Sequence, residues 1–334
     1  MKTLDNKTLL ITGGTGSFGS TLVSKLISSK INQIKIFSRD EKKQEDMRNF
    51  YENKKLKFII GDVRDEEAVS NALKDVDYVF HAAALKQVPT CEFFPMEAFK
   101  TNVIGTKNVI KYSIKNKIKR LVVLSTDKAV YPINTMGVTK SLAEKLVISN
   151  PLNFYDSSTI ICATRYGNVI ASRGSMIPLF INQIKQGKNL TITNPSMTRF
   201  MMTLEQSVQL VLHAFTKGKN GQIFVQKSPS ADIKTVAKAV KKILDYKKND
   251  KVIGVRHGEK MYETLVSAEE MGRCKINNNY FCINPDTRDL NYDKYFIKGT
   301  NKIFKDYSSN NVKKLNIDQV IKLLLSSKEF EELI

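Results

Sequence analysis

The run Ser125-Thr126-Asp127-Lys128 sets two hydroxyls, a carboxylate and an amine side by side, directly after the apolar stretch Leu121-Val122-Val123-Leu124. A hydroxyl can hydrogen-bond a substrate alcohol, a protonated carboxyl can serve as acid, and a partly desolvated lysine can lose its proton and serve as base. The alternative is an ordinary strand-end ion pair between Asp127 and Lys128, which is disfavoured because adjacent residues leave a strand in different directions. Lys140 follows Met136 by one helical turn. A thioether takes no proton from an alcohol, so Met136 leaves the proton of any substrate hydroxyl to Lys128 or to an ordered water. Either the site is inert, or the acid–base work falls on Asp127 and Lys128.

A second constellation lies near the N-terminus. Thr12-Gly13-Gly14-Thr15-Gly16-Ser17-Phe18-Gly19 follows an apolar run and opens a helix, with the spacing Gly-x-x-Gly-x-x-Gly. Gly13 permits a tight turn, Gly16 lets backbone N–H groups approach a pyrophosphate, and Gly19 lets the helix pack on the strand. Thr15, Ser17 and Phe18 complete a loop that reads as a dinucleotide cradle. The next strand ends in Phe37-Ser38-Arg39-Asp40-Glu41-Lys42. Ser38, Arg39 and Lys42 offer a hydroxyl and two cations for a 2′-phosphate, which predicts NADP; Asp40 is the feature that would suit NAD. Asp62 and Val63 fall where an adenine edge would lie, and Ala82-Ala83-Ala84 supply small side chains for a close approach.

Both constellations need a sheet to hold them at one edge. Apolar runs at 8–12, 34–37, 57–60, 78–82, 121–125 and 159–165 alternate with amphipathic stretches at 20–29, 66–73 and 96–114. That alternation predicts an α/β fold with a doubly wound parallel sheet. Ligands bind such sheets at the C-terminal ends of the strands, where residues 125–128 fall. Beyond Arg165 the alternation breaks. Residues 166–199 read as loop-rich, followed by a helix at 204–216, a strand at 222–226, a helix at 233–244 and a last helix near 318–326. The expected organisation is a nucleotide-binding domain over 1–168, to which 204–230 returns. A smaller substrate lobe is expected from 169–203 and 231–283, with an extension over 284–334.

Hydrophobic residues make up 42% of the chain and charged residues 26%, an ordinary globular balance. No apolar run approaches the roughly 18 residues of a membrane span, and the first seven residues carry no signal-peptide core. Cys91, Cys162, Cys274 and Cys282 are scattered, so reduced thiols and a cytoplasmic location are expected. The formal charge of +20 is spread along the chain without a nucleic-acid module, which points to anionic small ligands and away from nucleic acid. No metal constellation is visible, and His81 and His213 read as packing residues.

Together these motifs resemble the extended short-chain dehydrogenases that act on nucleotide sugars, and among them the inverting UDP-N-acetylglucosamine 4,6-dehydratases. The likeness runs nearly end to end. Besides the glycine motif and the segment after the second strand, it includes His81-Ala82-Ala83-Ala84-Leu85-Lys86-Gln87-Val88-Pro89 and Thr101-Asn102-Val103-Ile104-Gly105-Thr106. Ser125-Thr126-Asp127-Lys128-Ala129, Arg165-Tyr166-Gly167-Asn168-Val169 and Arg256-His257-Gly258-Glu259-Lys260 complete it. Met136 stands where most of that family has tyrosine, and is similar to the branch found in capsule and O-antigen synthesis.

The resemblance implies NADP-dependent dehydration of UDP-N-acetylglucosamine with inversion at C5, in a homo-oligomer that is a dimer or hexamer. It implies Asp127 as acid at O6, Lys128 as base, and Thr126 or Ser125 on O4. Lys140 is expected on the nicotinamide ribose, and Asn102 beside the cofactor. Arg199 and Arg256 are expected at the diphosphate, Glu259 at the uridine ribose, and Asn168 and Lys86 at phosphate or sugar. The alternatives are another nucleotide-sugar epimerase or reductase of this fold, or a non-catalytic NADP-binding regulator.

Overall fold

Apolar runs become strands here because each is covered on both faces. β1 (Thr8–Thr12) is buried along its whole length. Leu9 and Ile11 meet one layer of helices and Leu10 the other, as the two-residue period of a strand requires. β2 (Gln33–Ser38), β3 (Leu56–Ile60), β4 (Tyr78–His81), β5 (Arg120–Leu124) and β6 (Ile160–Arg165) follow. They pair in parallel in the order β3-β2-β1-β4-β5-β6, a doubly wound α/β sheet as the alternation predicted. The computed structural model describes residues 2–153, 158–172, 174–285 and 304–334.

Helices cover both faces. α1 (Ser17–Leu26), α2 (Glu41–Tyr51), α3 (Glu66–Ala72), α4 (Val88–Phe93) and α5 (Pro95–Phe99) precede a π-helical turn at Lys100–Ile104. α6 (Gly105–Lys115) and α7 (Thr135–Asn153) follow. The amphipathic stretch at 96–114 is therefore three helical pieces in series. α3, α6 and α7 bury Val69, Val109 and Val147 on one face of the sheet.

The segment expected to be loop-rich, 166–199, contains α8 (Met176–Lys185), the short β7 (Thr191–Ile192) and β8 (Thr198–Phe200). Pro178 did not prevent the helix, because it stands in the first turn, where backbone N–H groups have no helical partner. α9 (Leu204–Lys217) covers the face of the sheet that α1 covers. β9 (Ile223–Gln226) then extends the sheet in parallel beyond β6.

The second lobe is built from β10 (Ser230–Asp232), α10 (Ile233–Ile243), β11 (Lys251–Val252), β12 (Thr264–Val266) and α11 (Ala268–Met271). β13 (Cys274–Ile276) and β14 (Tyr280–Ile283) return as an antiparallel hairpin on the sheet edge beside β9. β15 (Tyr307–Ser308), α12 (Ile317–Leu325) and α13 (Lys328–Glu331) complete the described chain, and residues 286–303 of the expected extension lie outside the described residues. The lobe has its own core, in which Phe180, Val236, Val240, Val320, Leu324 and Phe330 meet.

Candidate active site

Two cavities open side by side at the C-terminal edge of the sheet. The smaller, about 520 Å3, lies over β1 and β4, where the strand order reverses. Gly13, Thr15, Gly16, Ser17, Phe18, Ser38, Arg39, Asp62, Val63 and Ala82 to Ala84 line it. Gly13 has φ +66°, and a Cβ there would lie 2.8 Å from Ala83 N, so glycine alone lets β1 turn this close to β4. Gly16, Ser17 and Phe18 bring the first turn of α1 to the wall, with the positive end of its dipole. That lining suits a dinucleotide pyrophosphate. Gly19 lies behind it, where a Cβ would meet Gly14 at 2.5 Å, and so lets α1 seat on the turn.

Two residues expected at the cofactor lie elsewhere. Lys42 bonds Asp46 at 2.6 Å along α2, and Lys43 lines the cavity in its place. Helical register is the cause: Asp40 caps α2, accepting from Lys43 N at 3.0 Å and from the Lys43 ammonium. Asn102 sits in the π-helical turn and grips Leu85, accepting from its N–H at 2.8 Å and donating to its carbonyl at 3.0 Å. It shapes the loop after β4 without lining the cavity. Arg39 stands 3.5 Å from Asp62. Burial pushes the Asp62 carboxyl up, but Arg64 and Arg39 outweigh it and hold the group below the usual range.

The ladder between β5 and β6 continues past Leu124, with Ser125 N donating to Thr164 O and Asp127 N to Tyr166 O, both at 2.7 Å. Thr126 then caps a single 3-10 turn, Asp127–Ala129. The turn takes Asp127 wholly out of solvent, where its Oδ1 accepts from Thr126 Oγ1 and Lys128 Nζ, each at 3.0 Å. Oδ2 accepts no hydrogen bond among the described residues. The strand-end ion pair therefore forms, with Asp127 buried and Lys128 half-buried, and Lys128 lines both cavities.

Desolvation does not free the Lys128 amine as expected. Burial pushes its pKa down, yet the carboxylates of Asp127 and Glu263 outweigh burial and raise it. Lys128 rests as an ammonium. Lys140 behaves oppositely: burial lowers its pKa to about 8 against the pull of Glu144, and its amine donates to Leu124 O. Met136 touches the smaller cavity but is only 4% exposed, packed on Cys91 and Ala98. Behind it, a Cβ on Gly137 would lie 2.3 Å from Lys128 O, so α7 runs directly against the Asp127–Ala129 turn. His81, buried and bonded to Thr12 and Thr106, is lowered to about 3 by burial and by the charge of Lys140, and stays neutral.

The larger cavity, about 630 Å3, lies between the sheet edge and the second lobe. Lys86, Asn168, Arg199, Arg256 and Glu259 all line it. Arg256 is exposed, its N–H donating to Glu259 Oε2 at 3.4 Å. Arg199 is buried instead, donating to Thr198 O at 2.8 Å, and its charge acts on Lys128 and Glu263. Arg199 therefore belongs to the charge cluster more than to an outlying diphosphate.

Sequence reasoning missed Glu263 and Lys260 as members of that cluster. Glu263 is 2% exposed, with Oε1 3.5 Å from Lys128 Nζ and Oε2 3.8 Å from Lys260 Nζ. Burial raises the Glu263 carboxyl against the pull of Lys128, and Asp127 adds to the rise. Burial pushes the Lys260 amine down, opposed by Glu263 and Asp127. Their sequence signal was the motif at 256–260, which Lys260 closes and Glu263 follows by three residues. Among the described residues no His, Cys, Asp and Glu cluster could hold a metal ion. No described helix is long and apolar enough to cross a membrane.

The chain is 57% identical over 333 residues to a protein named UDP-glucose 4-epimerase from Rickettsia akari (strain Hartford), covering 98% of each. The X-ray structure of Pen from Bacillus thuringiensis is 35% identical, with a TM-score of 0.88 over 97% of this chain and 99% of that one. DesIV from Streptomyces venezuelae, a dTDP-glucose 4,6-dehydratase with NAD and TYD bound, shares the fold at 18% identity. Its TM-score is 0.70 over 76% of this chain and 86% of that one. Residues 9–285 match the family described as polysaccharide biosynthesis protein, and 286–329 match polysaccharide biosynthesis protein C-terminal. With the sheet of an extended short-chain dehydrogenase and family matches along almost its whole length, the chain belongs to the polysaccharide biosynthesis protein family.

Proposed function

We propose that the chain is an NADP-dependent UDP-N-acetylglucosamine 4,6-dehydratase that inverts C5. Its product would be UDP-2-acetamido-2,6-dideoxy-β-L-arabino-4-hexulose, for capsule or O-antigen synthesis. The observation that carries this reading is the half-buried Lys128 at the junction of the two cavities, paired with the buried Asp127 behind it. The reaction needs a proton acceptor at O4, a base at C5 and an acid at O6, and this pair with Thr126 offers all three.

The chemistry supplied by a nicotinamide dinucleotide in the smaller cavity is hydride removal from C4 and its return to C6. Thr126 accepts the O4 proton while its own hydroxyl proton passes to Asp127 Oδ1, 3.0 Å away. That route makes a base at position 136 unnecessary. The Thr126 hydroxyl then gives its proton to O6 as water leaves and takes one back from Asp127, which is buried behind it and lines neither cavity. Lys128 removes the proton from C5, which the 4-keto group acidifies. C5 is reprotonated from the opposite face by a proton drawn from solvent. Lys140 holds the nicotinamide ribose, Ser38, Arg39 and Lys43 receive the 2′-phosphate, and Arg256 with Glu259 receives the nucleotide half of the sugar. Residues 1–168 and 204–230 serve as the nucleotide-binding domain, with the remainder as substrate lobe and extension.

A second reading, UDP-glucose 4-epimerase, is favoured by the name of the Rickettsia akari relative. An epimerase exchanges hydride at C4 and a proton at O4 alone, which Thr126 and Asp127 could serve, and it leaves Lys128 no C5 proton to remove. Proton NMR of the protein with UDP-N-acetylglucosamine and NADP+ in D2O separates the two. A new upfield methyl signal with deuterium at C5 is expected. Inversion at C4 with the hydroxymethyl retained would favour the epimerase.

A further inference from the structure

Glu263 is a buried carboxylate that the steps above leave unused. Its backbone is clamped by the segment around β15: Glu263 N donates to Ser309 Oγ at 3.0 Å, and its carbonyl accepts from Ser309 N at 2.8 Å. Ser309 Oγ in turn donates to Thr198 O at 3.1 Å. The clamp sets Oε1 3.5 Å from the tip of Lys128. Oε2 accepts no hydrogen bond among the described residues, although Lys260 Nζ stands 3.8 Å away. Asp127 and Arg199 are the other charges that act on it.

An ammonium held between two carboxylates cannot serve as base until it loses a proton. Asp127 Oδ1 already accepts two hydrogen bonds, one of them from Thr126. Once ligands fill both cavities and exclude water, the charged forms of amine and carboxyl are both disfavoured, and passing one proton between them neutralises the pair. We propose that Glu263 receives the ammonium proton of Lys128 and so turns Lys128 into the base at C5, an inference that rests on the dehydratase reading above. A Lys128 N–H bond breaks and a Glu263 O–H bond forms, with no change of oxidation state. The freed lone pair takes the C5 proton. Lys128 then releases that proton to solvent and takes back the one on Glu263. Glu263 lines the larger cavity, but in this role it acts through Lys128 and is a positioning residue.

The test is the pH dependence of kcat for methyl product in wild type, Glu263→Gln and Glu263→Asp. With Glu263 present, the active tautomer holds as many protons as the resting ion pair, so kcat should vary little between about pH 6 and 9. Glu263→Gln forces Lys128 to discharge to solvent. Its kcat should fall about a hundredfold at pH 7 and climb about tenfold per pH unit above it. Glu263→Asp keeps an acceptor and should restore the shallow profile at a lower rate. A Glu263→Gln profile parallel to wild type, whatever its height, overturns the proposal. Should that variant not fold, the wild type decides alone, because a slope of one across the window is incompatible with an internal acceptor. If wild type makes no methyl product, the dehydratase reading falls and carries this inference with it; normal turnover with parallel profiles removes the inference only.

Discussion

Lys140 is a buried amine whose pKa sits near 8, chiefly because solvent is lost. The value lies below the 10.5 of a free lysine, so between pH 8 and 10.5 the unfolded chain binds more protons than the folded one. Stability therefore rises with pH across that window. Below it the buried ammonium costs about 3 kcal/mol, an order-of-magnitude figure. Lys140→Met should resist urea better than wild type at pH 7, lose that advantage above about pH 10, and bind NADP at least about tenfold more weakly. Equal urea midpoints at pH 7 would mean that the amine is solvated in the folded chain. The same position would thus be a liability for folding and an asset for the proposed cofactor contact.

At the scale of elements, the approach of α7 to the Asp127–Ala129 turn is the tightest constraint on the site. A Cβ on Gly137 would sit 2.3 Å from Lys128 O, and that neighbour is backbone, which cannot swing aside. Gly137→Ala should destabilise by about 1–3 kcal/mol and lower kcat more than it weakens cofactor binding. Thermal unfolding alongside kinetics checks this, and unchanged kcat would show that the turn tolerates displacement. The strands were legible because apolar runs of four to seven residues between turn signals have few other fates in a parallel sheet. The glycine cradle was legible for the same local reason. Lys43 was not, because choosing it over Lys42 needs the register of α2, which the Asp40 cap sets. α8 was hidden by Pro178, whose first-turn position only the helix start reveals. Glu263 was hidden because its neighbours come from the Asp127–Ala129 turn and the tail alike, and no spacing rule links position 263 to 127, 199 and 309.

For the whole molecule, Arg165 ties the sheet to the second lobe. It ends β6, is 1% exposed, and donates to Glu144 of α7, to Glu270 of α11 and to the Leu265 carbonyl of β12. Arg165→Met strands two buried carboxylates, so a loss of about 3–5 kcal/mol is expected in urea unfolding near neutral pH. A loss under 1 kcal/mol would mean that water reaches the pair. Because β12 begins one residue after Glu263, the same clamp steadies the proposed proton acceptor. Ser309 does so from the other side, and its place in the chain has a temporal meaning. A ribosome completes the lining of the smaller cavity at Leu204, long before it polymerises Ser309. Vectorial synthesis therefore makes every residue that lines the smaller cavity before the residue that anchors Glu263.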